Sequence, residues 1–427
     1  MGENKDGAGW SPAGRCAFRF LFAYLVLYNL PFPVNAVPYG PLVTRWYTEL
    51  WNAVVPWVGR TVFHATVSVR PNGSGDTTYN YVQVFCFLVL AAAVAAVWSL
   101  LDRRRTNYAA LHRGLRVYVR YSLAVAMISY GAVKVIKNQF PAPSPDRLLE
   151  PFGEASPMGL LWAFMGASES YTVFGGLCEL VGGLLLTTRR TTLLGALVCA
   201  AVLGNIVMLN FSYDVPVKLY SCHLLLMALF LIAPDARRLA DLLLFNRGTT
   251  PAELRPPLRH KWLGHGAVAL RTLVVVGFTG LALFGAYQGR RAYGDLAPRP
   301  PLYGIWEVET FTLDGRELPP LVTDGTRWRR LAFGRMSTAV SVQGMSGARR
   351  YYAMKLDPGA HTLALTKYED PAWKTSVSYE EAEPGHLALE GTLGGKPFRA
   401  KLRRVDESQF LLVNRGFHWI NEYPFNR

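Results

Sequence analysis

The chain predicts an α-helical polytopic membrane bundle of about seven transmembrane helices, followed by an all-β antiparallel barrel or sandwich. Three observations carry that expectation. Apolar runs of transmembrane length recur from about residue 16 to about residue 287. From about residue 302 to the end, polar and apolar residues alternate with period two. The charge divides at the same place: residues 301–427 hold 17 Lys and Arg against 15 Asp and Glu, and residues 1–300 hold 28 against 15. Across 427 residues a hydrophobic content of 51% is high for a soluble protein. The boundary falls near residues 289–301, giving a bundle over 1–291 and a β domain over 302–427.

The spans fall at about 15–33, 81–101, 117–137, 171–188, 191–210, 217–234 and 265–287. Each run is long enough for a ~30 Å hydrocarbon layer, the fourth and sixth only with thinning or deeper flanks. The polar first 14 residues and the absence of a small-residue cleavage site make the first run an uncleaved span. Arg103, Arg104, Arg105, Arg113 and Arg116 lie between spans two and three, and Arg189 and Arg190 between four and five. Arg237, Arg238, Arg247, Arg255, Arg259 and Lys261 lie between six and seven. The opposite loops are poor in cations, which sets the N-terminus in the cytoplasm and the β domain outside it. The basic excess is thus a membrane-topology signal and not a nucleic-acid footprint.

Two loops on the outer side exceed what connection requires. In the first, Leu42, Trp46, Tyr47, Leu50, Trp51, Val54 and Val58 recur at helical spacing, so an amphipathic helix is expected that Pro56 kinks or ends. Asn72-Gly73-Ser74-Gly75-Asp76-Thr77-Thr78 reads as a tight turn, with anion binding by its amides as the alternative. The second loop, 138–170, carries five prolines with Trp162, Phe164 and Met165, and is expected to form a lid or partly re-entrant segment.

In the β domain, Trp306, Val308 and Thr310 alternate with Ile305, Glu307 and Glu309, and Phe398, Ala400 and Leu402 with Arg399, Lys401 and Arg403. Turn signals stand at Asp314-Gly315, Asp357-Pro358-Gly359 and Gly394-Gly395, consistent with eight or nine short strands. Gly304-Ile305-Trp306 resembles the opening strand of lipocalin-like barrels. Trp306 then either plugs one barrel end or lines a hollow that accepts a lipid. The aromatic C-terminal segment from Arg415 onward is expected to dock against the rest of the protein. Cys16, Cys86, Cys178, Cys199 and Cys222 form no CxxC pair, which excludes dithiol redox chemistry and covalent haem attachment.

Glu179 lies in the middle of an apolar run. A carboxylate at a helix centre costs at least ~2.5 kcal/mol in a bilayer, so it needs a partner, a cavity or a ligand. Gly176, Glu179 and Gly183 share one helical face, which lets a neighbouring helix approach beside the carboxylate. Lys134, on the face of span three that carries Met127 and Tyr130, is the expected ion-pair partner, with snorkelling to the interface as the alternative. Glu179, Lys134 and His223 are the candidate catalytic residues. Gly176, Gly183, Asn205 and Tyr130 are the candidate binding residues around them. His64 and His418 have no metal-site spacing, and no metal is expected.

Tyr130-Gly131-Ala132-Val133-Lys134, followed by the run from Phe174 to Leu186 with Glu179-Leu180-Val181-Gly182-Gly183 inside it, resembles the DoxX-like membrane proteins. The resemblance covers about residues 117–234. It implies a four-helix core in which Lys134, Glu179, Gly182 and Gly183 hold the family positions. Named members are linked to quinone-coupled sulfur oxidation or thiol stress, so the resemblance implies a bacterial inner-membrane, redox-associated protein that binds a quinone or similar lipid-soluble molecule. The first loop, the seventh span and the β domain have no counterpart in that pattern. A non-enzymatic carrier of a lipid or hydrophobic ligand, and a structural subunit of an envelope complex with a membrane-protein partner or second copy, are the alternatives.

Overall fold

The computed structural model describes residues 9–249, 251, 261–336 and 338–426. Of the loop cations named above, Arg255 and Arg259 lie outside the described residues, as does the side chain of Lys261. The chain forms two compact units. One comprises residues up to Val135 together with Val173–Gly285, and the other comprises Ile136–Thr172 with Ala286–Arg427.

The helical unit contains α1 (Pro12–Asn29), α2 (Gly40–Val43), α3 (Arg45–Phe63), α4 (Thr78–Leu101) and α5 (Ala109–Val135). With α6 (Pro145–Leu148) and α7 (Pro157–Ala167) belonging to the second unit, the chain continues through α8 (Glu169–Leu186), α9 (Thr192–Ser212), α10 (Lys218–Ile232), α11 (Ala236–Leu243) and α12 (Lys261–Ala292). Local chemistry explains several starts. Ser11 accepts from the Gly14 amide at 3.1 Å ahead of Pro12, and Thr77 and Asn80 form a reciprocal capping box for α4. Phe18 and Leu25 from α1 pack with Leu115, Leu123 and Met127 from α5, Leu203 from α9 and Leu224, Met227 and Leu231 from α10.

Among the described residues, five segments are long and apolar enough to cross a membrane: Pro12–Ala36, Thr78–Leu101, Thr192–Ser212, Lys218–Leu243 and Gly264–Ala292. This corrects the expected seven. The third and fourth expected spans do form helices, but α5 carries Arg113, Arg116, Arg120 and Lys134, and α8 carries Glu169 and Glu179 in only 18 residues. On α4, Leu88, Val89, Leu90, Val94, Val97, Leu100 and Leu101 are exposed, an apolar face that hydrocarbon solvates without cost.

The amphipathic helix of the first loop is α3, which buries Trp51 and Val55 with Ala23, Phe87 and Ala91, and whose buried Gly59 backs onto Val67. Pro56 does not end it; the helix continues to Phe63 and stops at His64, whose φ is +52°. Residues 72–78 form a tight turn, with Asn72 accepting from the Ser74 amide and Ser74 from the Asp76 amide. The amides of Ser74, Gly75, Asp76 and Thr77 all have acceptors within the protein, and the turn presents the Asp76 carboxylate. Asp76 accepts from the amides of Lys218 at 2.8 Å and Leu219 at 2.9 Å, capping α10 from 142 residues away in sequence.

The second unit is a closed antiparallel barrel of eight strands. Nine strands are described, of which all but the two-residue β2 form the barrel: β1 (Gly304–Leu313), β2 (Arg316–Glu317), β3 (Trp328–Phe333), β4 (Ala339–Gly344), β5 (Arg349–Asp357), β6 (Thr362–Lys367), β7 (Lys374–Glu383), β8 (His386–Leu393) and β9 (Lys396–Val405). Neighbours in sequence pair from β3 to β9, β1 pairs both β3 and β9 to close the barrel, and β2 makes a hairpin with β1. The turns at Asp314-Gly315 and Gly394-Gly395 take positive φ at both residues, the two-residue hairpin geometry that matches strand twist.

A bulge between Val308 and Thr310 resets the alternation of β1. Trp306 and Val308 point inward before it, and Phe311 after it, so Thr310 does not follow the simple period. Inside, Trp306, Phe311, Trp328, Phe333 and Phe398 pack with Leu331, Val342, Leu363, Val377 and Leu389. The Trp306 indole donates to the Leu302 carbonyl at 2.9 Å. A hollow of about 50 Å³ near Asp324, Arg327 and Tyr352 is far below the volume of a lipid site. Of the two roles expected for Trp306, the packing is that of a plug.

Segment 136–172 covers the outer wall of this barrel. Leu149 packs on Ile305, Ala332 and Val405, and Arg349 on β5 donates to Glu150 at 2.9 Å and to Asp146 at 3.3 Å. The aromatic segment after Arg415 corrects the docking expectation. Phe417, Ile420 and Tyr423 are exposed, and Trp419, 91% exposed, has its ring against Phe417, while Arg415 bonds to His418 and Asn421 within the segment.

Candidate functional site

The two ionisable residues singled out in the apolar runs meet. Lys134 Nζ stands 2.7 Å from Glu179 Oε1 and donates to Oε2 at 2.9 Å. The lysine side chain is 10% exposed and the glutamate side chain 3%, so the pair is removed from solvent. Charges this deep are tolerated because each neutralises the other over a short, charge-assisted contact.

Glycine makes that contact geometrically possible. A Cβ on Gly176 would fall 2.7 Å from Lys134 Cβ and 2.7 Å from the Val135 nitrogen. One on Gly131 would fall 2.6 Å from the Leu180 nitrogen, and one on Gly183 2.9 Å from Ile128 Cγ1. The backbones of α5 and α8 therefore approach at Gly131, Gly176 and Gly183, the close packing that small residues permit between apolar helices. Gly182 faces the other way, toward Cys199 Sγ on α9 at 2.9 Å. Gly175 has nothing within 4 Å.

Tyr130, one turn before Lys134, places its ring 5.5 Å from the ammonium. Its other side is open: Tyr130 is 40% exposed. The ring of Tyr220 on α10 lies 6.1 Å away. The pair is thus enclosed by α5 and α8, with the partly exposed ring of Tyr130 beside the ammonium.

His223 is held elsewhere, by α1. Its Nδ1–H donates to the Leu219 carbonyl at 2.6 Å, which leaves Nε2 of the neutral ring to accept from the Tyr24 hydroxyl at 2.5 Å. The Tyr28 ring stacks on it at 3.9 Å. Those contacts satisfy both ring nitrogens, so His223 is a packed histidine and not part of the Lys134–Glu179 contact. Asn205 is exposed on α9 and does not join the site either. The polar groups at the start of α10 pair among themselves, with Lys218 on Asp214 at 2.7 Å and Asn210 donating to Ser221 at 3.0 Å.

Gly131 was not among the candidate residues, although its place three residues before Lys134 is the available signal. Tyr24 and Tyr28 were missed as well; their i, i+4 spacing in the first apolar run marks one face but names no partner.

No family model matches this sequence, and no solved structure matches it. A curated relative does: the uncharacterized protein YwoB of Bacillus subtilis (strain 168) is 31% identical over 131 residues, 30% of this chain and 82% of that protein. The chain belongs to the YwoB family. YwoB is a much shorter protein than this one, so the family likeness covers one part of the chain and leaves most of it without a counterpart.

Proposed function

We propose that this chain is a DoxX-like, inner-membrane protein that binds a quinone or a similar lipid-soluble oxygen-bearing molecule beside the Lys134–Glu179 pair. The observation that carries this reading is a buried, hydrogen-bonded ion pair whose exposed flank is a tyrosine. A carbonyl or hydroxyl oxygen arriving from the bilayer past Tyr130 meets the ammonium of Lys134, one turn further along α5, and the carboxylate of Glu179 on α8. Glu179 then exchanges a proton with the ligand oxygen or accepts from it, and Lys134 stabilises the carboxylate form.

The loop cations favour the N-terminus inside and the barrel on the periplasmic face. In titrations of full-length protein in detergent with a short-chain ubiquinone analogue, Glu179→Gln is expected to weaken binding by about 10-fold or more, the value of one hydrogen bond to a charged group. Equal affinity in wild type and variant would remove this reading.

A subunit role in an envelope complex is the second reading. It is favoured by the exposed Phe417, Trp419, Ile420 and Tyr423, which present aromatic anchors of the kind that interfaces use. A carrier role for the barrel is disfavoured by its packed interior.

A further inference from the structure

Fourteen residues before Lys134, about 21 Å along the same helix, stands a second buried charge of different character. Arg120 is 7% exposed. Its Nη1 donates to Thr192 Oγ1 at 3.3 Å, its guanidinium lies 4.7 Å from the Tyr121 ring centroid, and its Nε is buried without a hydrogen-bond partner. Among the described residues, two further cations, Arg189 and Arg271, act on it electrostatically. Among the described residues no carboxylate offsets Arg120, in contrast to Lys134.

Thr192 is also the first residue of α9. The preceding Thr191 makes no side-chain cap, because its hydroxyl donates to the Leu185 carbonyl instead. The first amides of a 21-residue helix therefore lack a capping side chain beside a guanidinium that lacks a counterion. A buried cation without an anion is costly, and a helix N-terminus with converging arginines is a setting that lowers that cost by binding an oxyanion.

We propose that Arg120, Arg271 and the N-terminus of α9 bind a phosphate group, supplied by an anionic phospholipid headgroup or by phosphate in solution. Arg120 is the inner donor, through its unpartnered Nε. Arg271, on α12 and partly exposed, is the second cation within electrostatic reach of Arg120. The site stands independently of the quinone reading.

The test is native mass spectrometry of full-length protein in detergent with added phosphatidylglycerol or phosphatidylcholine, beside thermal unfolding in inorganic phosphate or chloride at equal ionic strength. Wild type is expected to retain phosphatidylglycerol preferentially, with Arg120→Gln about 10-fold weaker or more and Arg271→Gln several-fold weaker. Stabilisation by inorganic phosphate without preference between the two lipids identifies soluble phosphate as the source. If Arg120→Gln does not fold, Arg271→Gln alone decides. Wild-type binding in Arg271→Gln, or no preference for either phosphate source in wild type, overturns the proposal.

Discussion

Gly131 on α5 and Gly176 on α8 face each other at backbone distance. A Cβ on Gly131 would lie 2.8 Å from the Gly176 carbonyl oxygen, and one on Gly176 would lie 2.9 Å from the Gly131 carbonyl oxygen. Neither neighbour is the yielding end of a flexible side chain. Gly176→Ala is therefore expected to force the helices apart and destabilise the protein by about 1 to 3 kcal/mol, an overpacking cost. Gly175→Ala, next along the chain with nothing within 4 Å, should be neutral or stabilising by up to about 1 kcal/mol, the helix-propensity gain. Unfolding of both variants in detergent checks the contrast; equal effects would show that the crossing is not this tight.

The ion pair makes an asymmetric prediction. Lys134→Met or Glu179→Leu alone strands one buried charge, at about 3 to 5 kcal/mol each, whereas the double variant removes both charges and should cost much less than the sum. A double-mutant cycle on unfolding free energy measures the coupling. Additive losses would mean the two side chains do not depend on one another.

Asp76 caps α10 across a long loop, so its effect should be local and sharp. Asp76→Ala is expected to cost about 1 to 2 kcal/mol and to speed hydrogen exchange at the amides of Lys218 and Leu219. Unchanged exchange at those two amides would contradict the cap.

In the barrel unit, Arg349 is buried among Asp146, Glu150 and Glu154. Burial alone would pull its pKa down, but the Glu150 hydrogen bond and the other anions outweigh that and hold it above the ordinary arginine value. Arg349→Met should release residues 144–154 from the barrel wall, read as loss of exchange protection there with the strands still protected. Loss throughout the barrel would instead make Arg349 part of its core stability.

Much of this was legible in the sequence where chemistry is local. Asp314-Gly315 and Gly394-Gly395 announce hairpins, because few residue pairs tolerate positive φ twice. Lys134 and Glu179 were legible as a pair, because each is anomalous in an apolar run and the glycines beside Glu179 invite a close helix. What depends on distant contacts was not legible. The cap on α10 comes from Asp76, which in sequence reads only as a turn residue. The bulge after Val308 shifts Thr310 outward with no glycine to mark it. The burial of Ile305, on the outward side of β1, follows from Leu149 lying over it. The partners of His223 were not legible either, since nothing in its own helix reveals that Tyr24 and Tyr28 on α1 contact it.

The central claim is that the Lys134–Glu179 pair holds a lipid-soluble ligand. Mass spectrometry of the organic extract of gently purified wild-type protein, beside Glu179→Gln and the Lys134→Met/Glu179→Leu double variant, tests it most directly. The account predicts a quinone-like molecule retained by wild type and lost from both variants while they remain folded. The same extract from all three, with bulk phospholipid alone, would contradict it and leave the pair as a structural lock between α5 and α8.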